Sequence, residues 1–301
     1  MRVAVLINPV SGIQHRTDSA RHRVALARAF LTNVRIEHEV SVSEHAGHAY
    51  ELAREAIQRG VSLVFAWGGD GTMNEVARAL VFSPATLALI PAGSGNGLAR
   101  ELHIPFDPEQ ALKTGLQGAD RVIDVGEIGG HLFFNAAGVG FDAHVTTIFN
   151  NRPKKRRGLL SYVTIAAREL FSYQSDEYAI TIDGETMHRH SLLIALANSR
   201  QYGNGALVAP HADLSDGRLD LVVIHSRSPF ATLWETRHLF NGTITQRPGV
   251  ETQRIRHATI VGHRPLCLHV DGEPVVNTAT SLTVRLHPFS LRVKSGADYV
   301  A

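Results

Sequence analysis

Leu63-Val64-Phe65-Ala66-Trp67-Gly68-Gly69-Asp70-Gly71-Thr72-Met73-Asn74-Glu75-Val76 reads as a strand, a turn and a helix in immediate succession. The apolar run ending at Trp67 suits a buried strand, and Val76, Ala79 and Leu80 fall on one side of the helix that follows. Gly68, Gly69 and Gly71 break the strand around Asp70. Glycines at such a turn bring backbone close to a ligand. The helix start aims unpaired N–H groups there, which favours phosphate. Asp70 is the odd member, because a carboxylate repels phosphate; it points to a bound metal or to a proton that must be handled. The turn is neither a Walker A loop nor a Gly-x-Gly-x-x-Gly dinucleotide turn. It reads as a nucleotide phosphate site.

Outward from this stretch, strand and helix signals alternate. Val3 to Ile7 and Val34 to Val40 read as strands, with helical spacing from about Thr17 to Phe30 and from Ala46 to Arg59. Thr86 to Ile90 is a fourth strand, leading through Pro91-Ala92-Gly93-Ser94-Gly95-Asn96-Gly97 into a short helix from Leu98 to Leu102. This alternation predicts a parallel α/β sheet, in which ligands bind outside the carboxyl ends of the strands. Three loops lie at such ends: Asn8 to Gly12, Gly68 to Thr72 and Gly93 to Gly97. In the first, Ser11 and the Gly12 amide are placed to touch phosphate and Asn8 to orient a neighbouring loop, although an ordinary Asn-Pro turn reads the same way. In the third, Ser94 or Asn96 suits a helix cap as well as a ligand contact.

From about Asp124 the pattern changes to short strands. They are Val122 to Ile128, His131 to Ala136, Tyr178 to Ile182, Ser191 to Asn198, Arg218 to Ile224, Ile255 to Val261, Leu266 to Val270 and Leu282 to Leu286. Asp183-Gly184 and Asp216-Gly217 look like turns, and helical stretches interrupt near Leu159 to Phe171 and Phe230 to Leu239. The expected architecture is α/β plus β. An N-terminal parallel α/β nucleotide-binding domain spans 1–123, with 289–301 as a segment that could complete it. An antiparallel β-sandwich domain spans 124–288.

Composition removes several classes. The charge is +2 over 301 residues, so no global field argues for nucleic acid. The single cysteine, Cys267, rules out a disulfide framework or thiolate zinc site and is expected in the core. No apolar run approaches the roughly 20 residues of a membrane span, and the first apolar run is too short for a signal peptide. A cytoplasmic protein with peripheral contact at the inner membrane face is expected.

The combination of Asn8-Pro9-x-Ser11-Gly12, Gly68-Gly69-Asp70-Gly71-Thr72-x-Asn74-Glu75-Val76 and Pro91-x-Gly93-Ser94-Gly95-Asn96 resembles the diacylglycerol kinase catalytic domain family. That family takes in bacterial soluble lipid kinases, sphingosine kinases and ceramide kinases. The resemblance continues through Asn135 to Ala143, Asn198-Ser199-x-x-Tyr202-Gly203-Asn204-Gly205, Asp216-Gly217-x-Leu219-Asp220 and Val270-Asp271-Gly272-Glu273, nearly the whole chain. At the third loop, Gly-Ser-Gly-Asn is closer to the sphingosine kinase version.

The resemblance implies ATP held in a cleft between the two domains. Asn8, Ser11, Gly12, Gly68, Gly69, Asp70, Gly71, Thr72, Asn74, Glu75, Gly93, Ser94, Gly95 and Asn96 would form its site. Asp271-Gly272-Glu273 would supply the base, with Glu273 as proton acceptor and Asp271 beside it, although alone this segment reads equally as a surface turn. Asp70 and Asp124 would handle the catalytic Mg²⁺. A separate structural Mg²⁺ would lie at the loop Ala212 to Arg218, where Asp216 ligates with Asp213 and Arg218 contributing nearby; oxygen-rich loops suit that ion. The acceptor would be a lipid hydroxyl: diacylglycerol, a sphingoid base, phosphatidylglycerol or a relative. Lys154 to Arg157, beside Leu159, Leu160 and Tyr162, would dock on anionic headgroups. The sequence leaves a homodimer open. It also leaves two other readings, an NAD kinase-type phosphotransferase and a non-catalytic nucleotide- or lipid-binding regulator.

Overall fold

Alternating apolar strands and helices build the first unit as the sequence predicts. The structure, a computed structural model, describes residues 1–12, 16–152, 159–203 and 205–297. It divides into two compact units, Met1–Ile123 with the residues from Phe289 onward, and Asp124–Pro288. In the first unit the elements run β1 (Arg2–Ile7), α1 (Arg16–Asn33), β2 (Glu37–Val42), α2 (His48–Gln58), β3 (Leu63–Gly68), α3 (Asp70–Leu80), β4 (Thr86–Pro91), α4 (Gly97–Glu101) and α5 (Pro108–Gln117). The strands lie in the order β4-β3-β1-β2, all parallel, with Val5 facing Phe65 on one side and Val40 on the other. Every residue of β3 is buried, which requires cover on both faces.

Two details depart from the pattern reading. Strand β2 starts at Glu37 rather than Val34, because α1 closes with a turn in which Arg35 takes a φ of 58°. Helix α5 was not legible by periodicity. It starts locally, where Asp107 accepts from the Gln110 amide at 2.9 Å and Pro108 opens the first turn. Gly115 of α5 lies against the Phe65 ring, where any Cβ would collide.

The boundary between the units falls within β5 (Ala119–Ile128). The second unit continues with β6 (His131–Phe133), β7 (Ala136–Gly140), α6 (Phe141–Asn150), α7 (Leu159–Glu169), β8 (Asp176–Ile182), β9 (Glu185–Ala197), β10 (Gln201–Gly203), β11 (Ala206–Leu207) and β12 (Leu219–His225). Then come α8 (Pro229–Glu235), α9 (Arg237–Phe240), β13 (Val250–Ile255), β14 (His257–Gly262), β15 (Leu268–Val270), β16 (Glu273–Val275) and β17 (Ser281–Ser295). Antiparallel pairing runs β16-β15-β7-β9-β8-β14-β17, with β12 joined to β9 and β13. The sheets close on a core that includes Phe133, Val139, Ile180, Ile194, Leu221, Ile260 and Val284. The architecture is β-sandwich-like. Asp183 and Gly184 both take positive φ, as an Asp-Gly hairpin turn requires.

Three expectations are corrected here. Ile255 to Val261 is two strands, because at Arg256 the chain leaves β12 and passes to β8 and β17. Strand β17 does not stop at Leu286; its last residues pair in parallel with β4, Arg292 facing Thr86, and belong to the first unit. Cys267 is exposed just before β15, between the buried Leu266 and Leu268.

Candidate active site

In the first unit the three glycine-bearing loops follow β1, β3 and β4, which are sheet neighbours, so the topology itself brings them to one edge. They are fastened to one another. Asp70 accepts from the Asn96 amide at 2.8 Å and from the Gly97 amide at 2.7 Å, one through each carboxylate oxygen. The odd carboxylate therefore holds the third loop on the second. A Cβ on Gly93 would stand 2.7 Å from the Gly69 Cα, and one on Gly95 2.6 Å from Asp70 Oδ2. Backbone packs on backbone here, and only glycine permits it. Gly68 is similarly closed off by the Thr72 side chain.

Asn96 sits at the cap position of α4 with φ 56°, yet its side chain makes no cap bond. It bridges the Gly93 amide (2.9 Å) and carbonyl (2.7 Å), closing the loop on itself. Asn8 Nδ2 donates to Thr72 Oγ1 at 2.8 Å, tying the first loop to the second, while Asn8 Oδ1 accepts from the Val10 amide. Glu75 is turned away from the loops: it accepts from the Gly47 and Ala49 amides at 2.9 and 3.2 Å and so caps α2. Asn74 is half-buried just past the first turn of α3. The start of α3 has no side-chain cap bond, which leaves its first-turn amides to a ligand.

Arg23, within α1, stands in no motif and joins the site only through the fold. Its Nη1 donates to the Asn8 carbonyl (2.9 Å) and to Ser11 Oγ (2.8 Å), and its Nη2 to the Ser11 carbonyl (2.7 Å). Burial pushes its pKa down from the ordinary arginine value, but a guanidinium stays charged at any physiological pH. The unit thus places a fixed positive charge beneath the first loop.

In the second unit, Asp271 and Gly272 form the β15–β16 turn with φ of 47° and 78°. Asp271 accepts from three successive amides, Phe134 at 2.9 Å, Asn135 at 2.7 Å and Ala136 at 3.0 Å. Around it Asn198 Nδ2 donates to the Asp124 and Phe134 carbonyls, and Ser199 Oγ to Asn135 Oδ1. Asp271 is a structural pin that fixes the turn. Glu273, the first residue of β16, is exposed.

Asp124 is fully buried and accepts from the Gly217 amide at 2.6 Å, so it holds the 213–218 loop. In that loop Asp213 accepts from the Ser215 amide and hydroxyl, Asp216 Oδ1 from the Arg218 amide, and Asp216 Oδ2 from Arg254. Arg218 itself is exposed. The loop has the hard oxygen atoms that Mg²⁺ prefers. As arranged, though, it directs them at its own amides and at an arginine. No group of three or more acidic, histidine or cysteine ligands is gathered among the described residues.

One constellation was missed. Tyr202 donates to Asp142 Oδ2, and His269 Nε2 lies 3.1 Å from the same oxygen. Gly138 makes room for it: a Cβ there would collide with both Asp142 and His269. Asp142 opens α6, and Asn150 at the other end of α6 donates to the Gly272 carbonyl at 3.0 Å. One helix thus grips the catalytic-candidate turn and the strand leading into it. Asp142 and Tyr202 stand in two of the segments that carry the family resemblance, and His269 two residues before Asp271, but no local pattern joins the three.

Burial pushes the phenols of Tyr162 and Tyr178 up to about 12 from an ordinary 10, and raises Tyr173 and Tyr202 as well. A group with a raised folded-state pKa contributes stability that is whole below its unfolded value and lost as pH climbs through the folded one. Thermal melts should therefore hold steady up to about pH 10 and fall between there and about pH 12. Tyr162→Phe should flatten that alkaline fall; an unchanged slope would contradict the account.

A kinase is the class that this pairing of a glycine-looped α/β unit with a β-sandwich-like unit defines, and comparison with known proteins agrees. Residues 2–128 match the diacylglycerol kinase catalytic domain, and residues 135–295 the YegS C-terminal NAD kinase beta sandwich-like domain. The chain belongs to the YegS-like family of diacylglycerol kinase-type enzymes. It is 33% identical over 301 residues to a "probable lipid kinase YegS-like" of Pseudomonas fluorescens, covering 99% of this chain and 96% of that one. A Yersinia pestis protein of the same description is 30% identical over 276 residues, 88% of this chain and 91% of the relative. In fold it is similar to a crystal structure of a Bacillus anthracis diacylglycerol kinase, with TM-score 0.76, 20% identity, and coverage of 99% and 98%. No helix among the described residues is long and apolar enough to cross a membrane.

Proposed function

We propose that this kinase transfers the γ-phosphoryl group of the Mg²⁺ complex of ATP to a hydroxyl of a lipid, diacylglycerol or a relative such as a sphingoid base or phosphatidylglycerol. The observation that carries the reading is the pair of glycine loops locked by Asp70 beside an uncapped helix start. Phosphoryl transfer asks a protein mainly for positioning and charge stabilisation. The loop amides and the first turn of α3 would bind phosphate oxygens. The Mg²⁺ that arrives with the nucleotide offsets phosphate charge.

Glu273 is assigned as the proton acceptor. Asp271 spends its oxygens on three amides, whereas Glu273 is exposed directly after the fixed turn. As the acceptor oxygen bonds to the γ-phosphorus and the bond to ADP breaks, the hydroxyl proton passes to the Glu273 carboxylate. Asp142, His269 and Asn150 hold the strand and turn that carry it.

The test is transfer of labelled γ-phosphate from ATP with Mg²⁺ to diacylglycerol, phosphatidylglycerol, sphingosine and ceramide in mixed micelles, with NAD as a soluble comparison. Label in one lipid, absent from Glu273→Gln, is the expected result. Label in NADP alone would transfer the protein to NAD kinase chemistry.

A further inference from the structure

We propose that the α8–α9 platform is the surface by which the protein docks on an anionic lipid bilayer. No residue of either helix is buried. Phe230 is 75% exposed, Trp234 66% and Phe240 51%, with Leu233 beside them. Phe171, two residues past the end of α7, joins the same patch; its ring meets Phe230 edge to face at 5.4 Å. A monomeric surface rarely gathers apolar side chains in this way without a partner.

The platform is built rather than frayed. Ser228 caps α8 by accepting from the Ala231 amide, and Pro229 opens its first turn. Leu239 packs inward on the cluster of Val208, Ala209 and Ala212, which anchors α9. The helices are therefore held in place while their aromatic rings face out.

Charge decides what covers them. From His225 to Arg247 the chain has three arginines, one glutamate and no other acidic residue or lysine. The glutamate, Glu235, is paired with Arg247 through two hydrogen bonds at 2.7 and 3.1 Å. Arg237 lies over the Trp234 ring at 3.8 Å. Aromatic rings flanked by arginine are the composition of a membrane interface, where the rings enter the headgroup region and the cations meet anionic lipid. A lipid surface fits this face on both counts. The proposal rests on the lipid-acceptor reading above. The basic run Lys154 to Arg157, which the sequence suggested for this task, lies outside the described residues.

The chain has two tryptophans. Trp67 is 2% exposed, so Trp234 is the reporter. Its emission should shift to the blue on vesicles of phosphatidylcholine with phosphatidylglycerol, and less so at high salt. Phe230→Ser with Phe240→Ser keeps the reporter and should weaken partitioning roughly tenfold for each ring removed. Both positions are exposed, and the same variant should turn over a short-chain acceptor dispersed as monomers at the wild-type rate. No blue shift, or equal partitioning of variant and wild type, would overturn the proposal. So would a wild-type dimer that the variant dissolves, because the occupant would then be a second copy. Wild type that docks but labels no lipid in any form keeps the docking surface and loses the acceptor reading. Wild type that labels lipid without docking loses only the surface.

Discussion

Glu273→Gln should lower kcat by about 10²–10⁴-fold, the usual contribution of a positioned general base, and move the melting temperature less than a change at Asp271 does. The side chain is exposed at the start of β16, so the isosteric amide leaves the core packing as it is. Asp271→Asn should behave differently. Its new amide nitrogen would face a backbone N–H that the carboxylate now satisfies, at a cost of about 1–3 kcal/mol. The two acids thus separate by readout: Glu273 mainly in turnover, Asp271 in turnover and stability together. Full turnover in Glu273→Gln would sink the assignment of the base.

Asp70→Asn is the second large effect. Each Asp70 oxygen accepts one amide of the third loop. An asparagine can satisfy only one of them, and its own N–H₂ then opposes the other. The expected loss is about 1–3 kcal/mol, which for a domain of this size lowers the melting temperature by roughly 2–4 °C per kcal/mol. Loss of loop registration should also cut turnover by about 10²-fold, the scale expected when reacting groups are misplaced by about an ångström. A variant with normal melting and normal turnover would show that the lock is dispensable.

The parallel sheet and its three strand-end loops were legible because apolar runs ending in glycine leave few other conformations. The tasks of the side chains were not. Asp70 reads from the sequence as a metal or proton group, and nothing local shows its bonds to amides 26 and 27 residues away. Asp216 reads as a cation ligand, and nothing local shows its pairing with Arg254 on another strand. Tyr202, Asp142 and His269 converge from a short strand, a helix start and a second strand, with sequence separations of 60 and more. Such meetings are set by tertiary register, which no local pattern encodes. The extension of β17 past Pro288 was hidden for a similar reason, since Phe289 takes a φ of 50° there and breaks the alternation that marks a strand.

The mutual fastening of the glycine loops bears on the thermodynamics of nucleotide capture. Asn8 to Thr72, Asp70 to Asn96 and Gly97, and Asn96 to Gly93 are all joined by the protein's own hydrogen bonds. A nucleotide entering such a cradle has no loop to organise, and affinity is not eroded by the ordering of side chains and backbone on binding. Calorimetry should then register a modest entropic penalty, in contrast to the large one that accompanies a phosphate loop folding around its ligand.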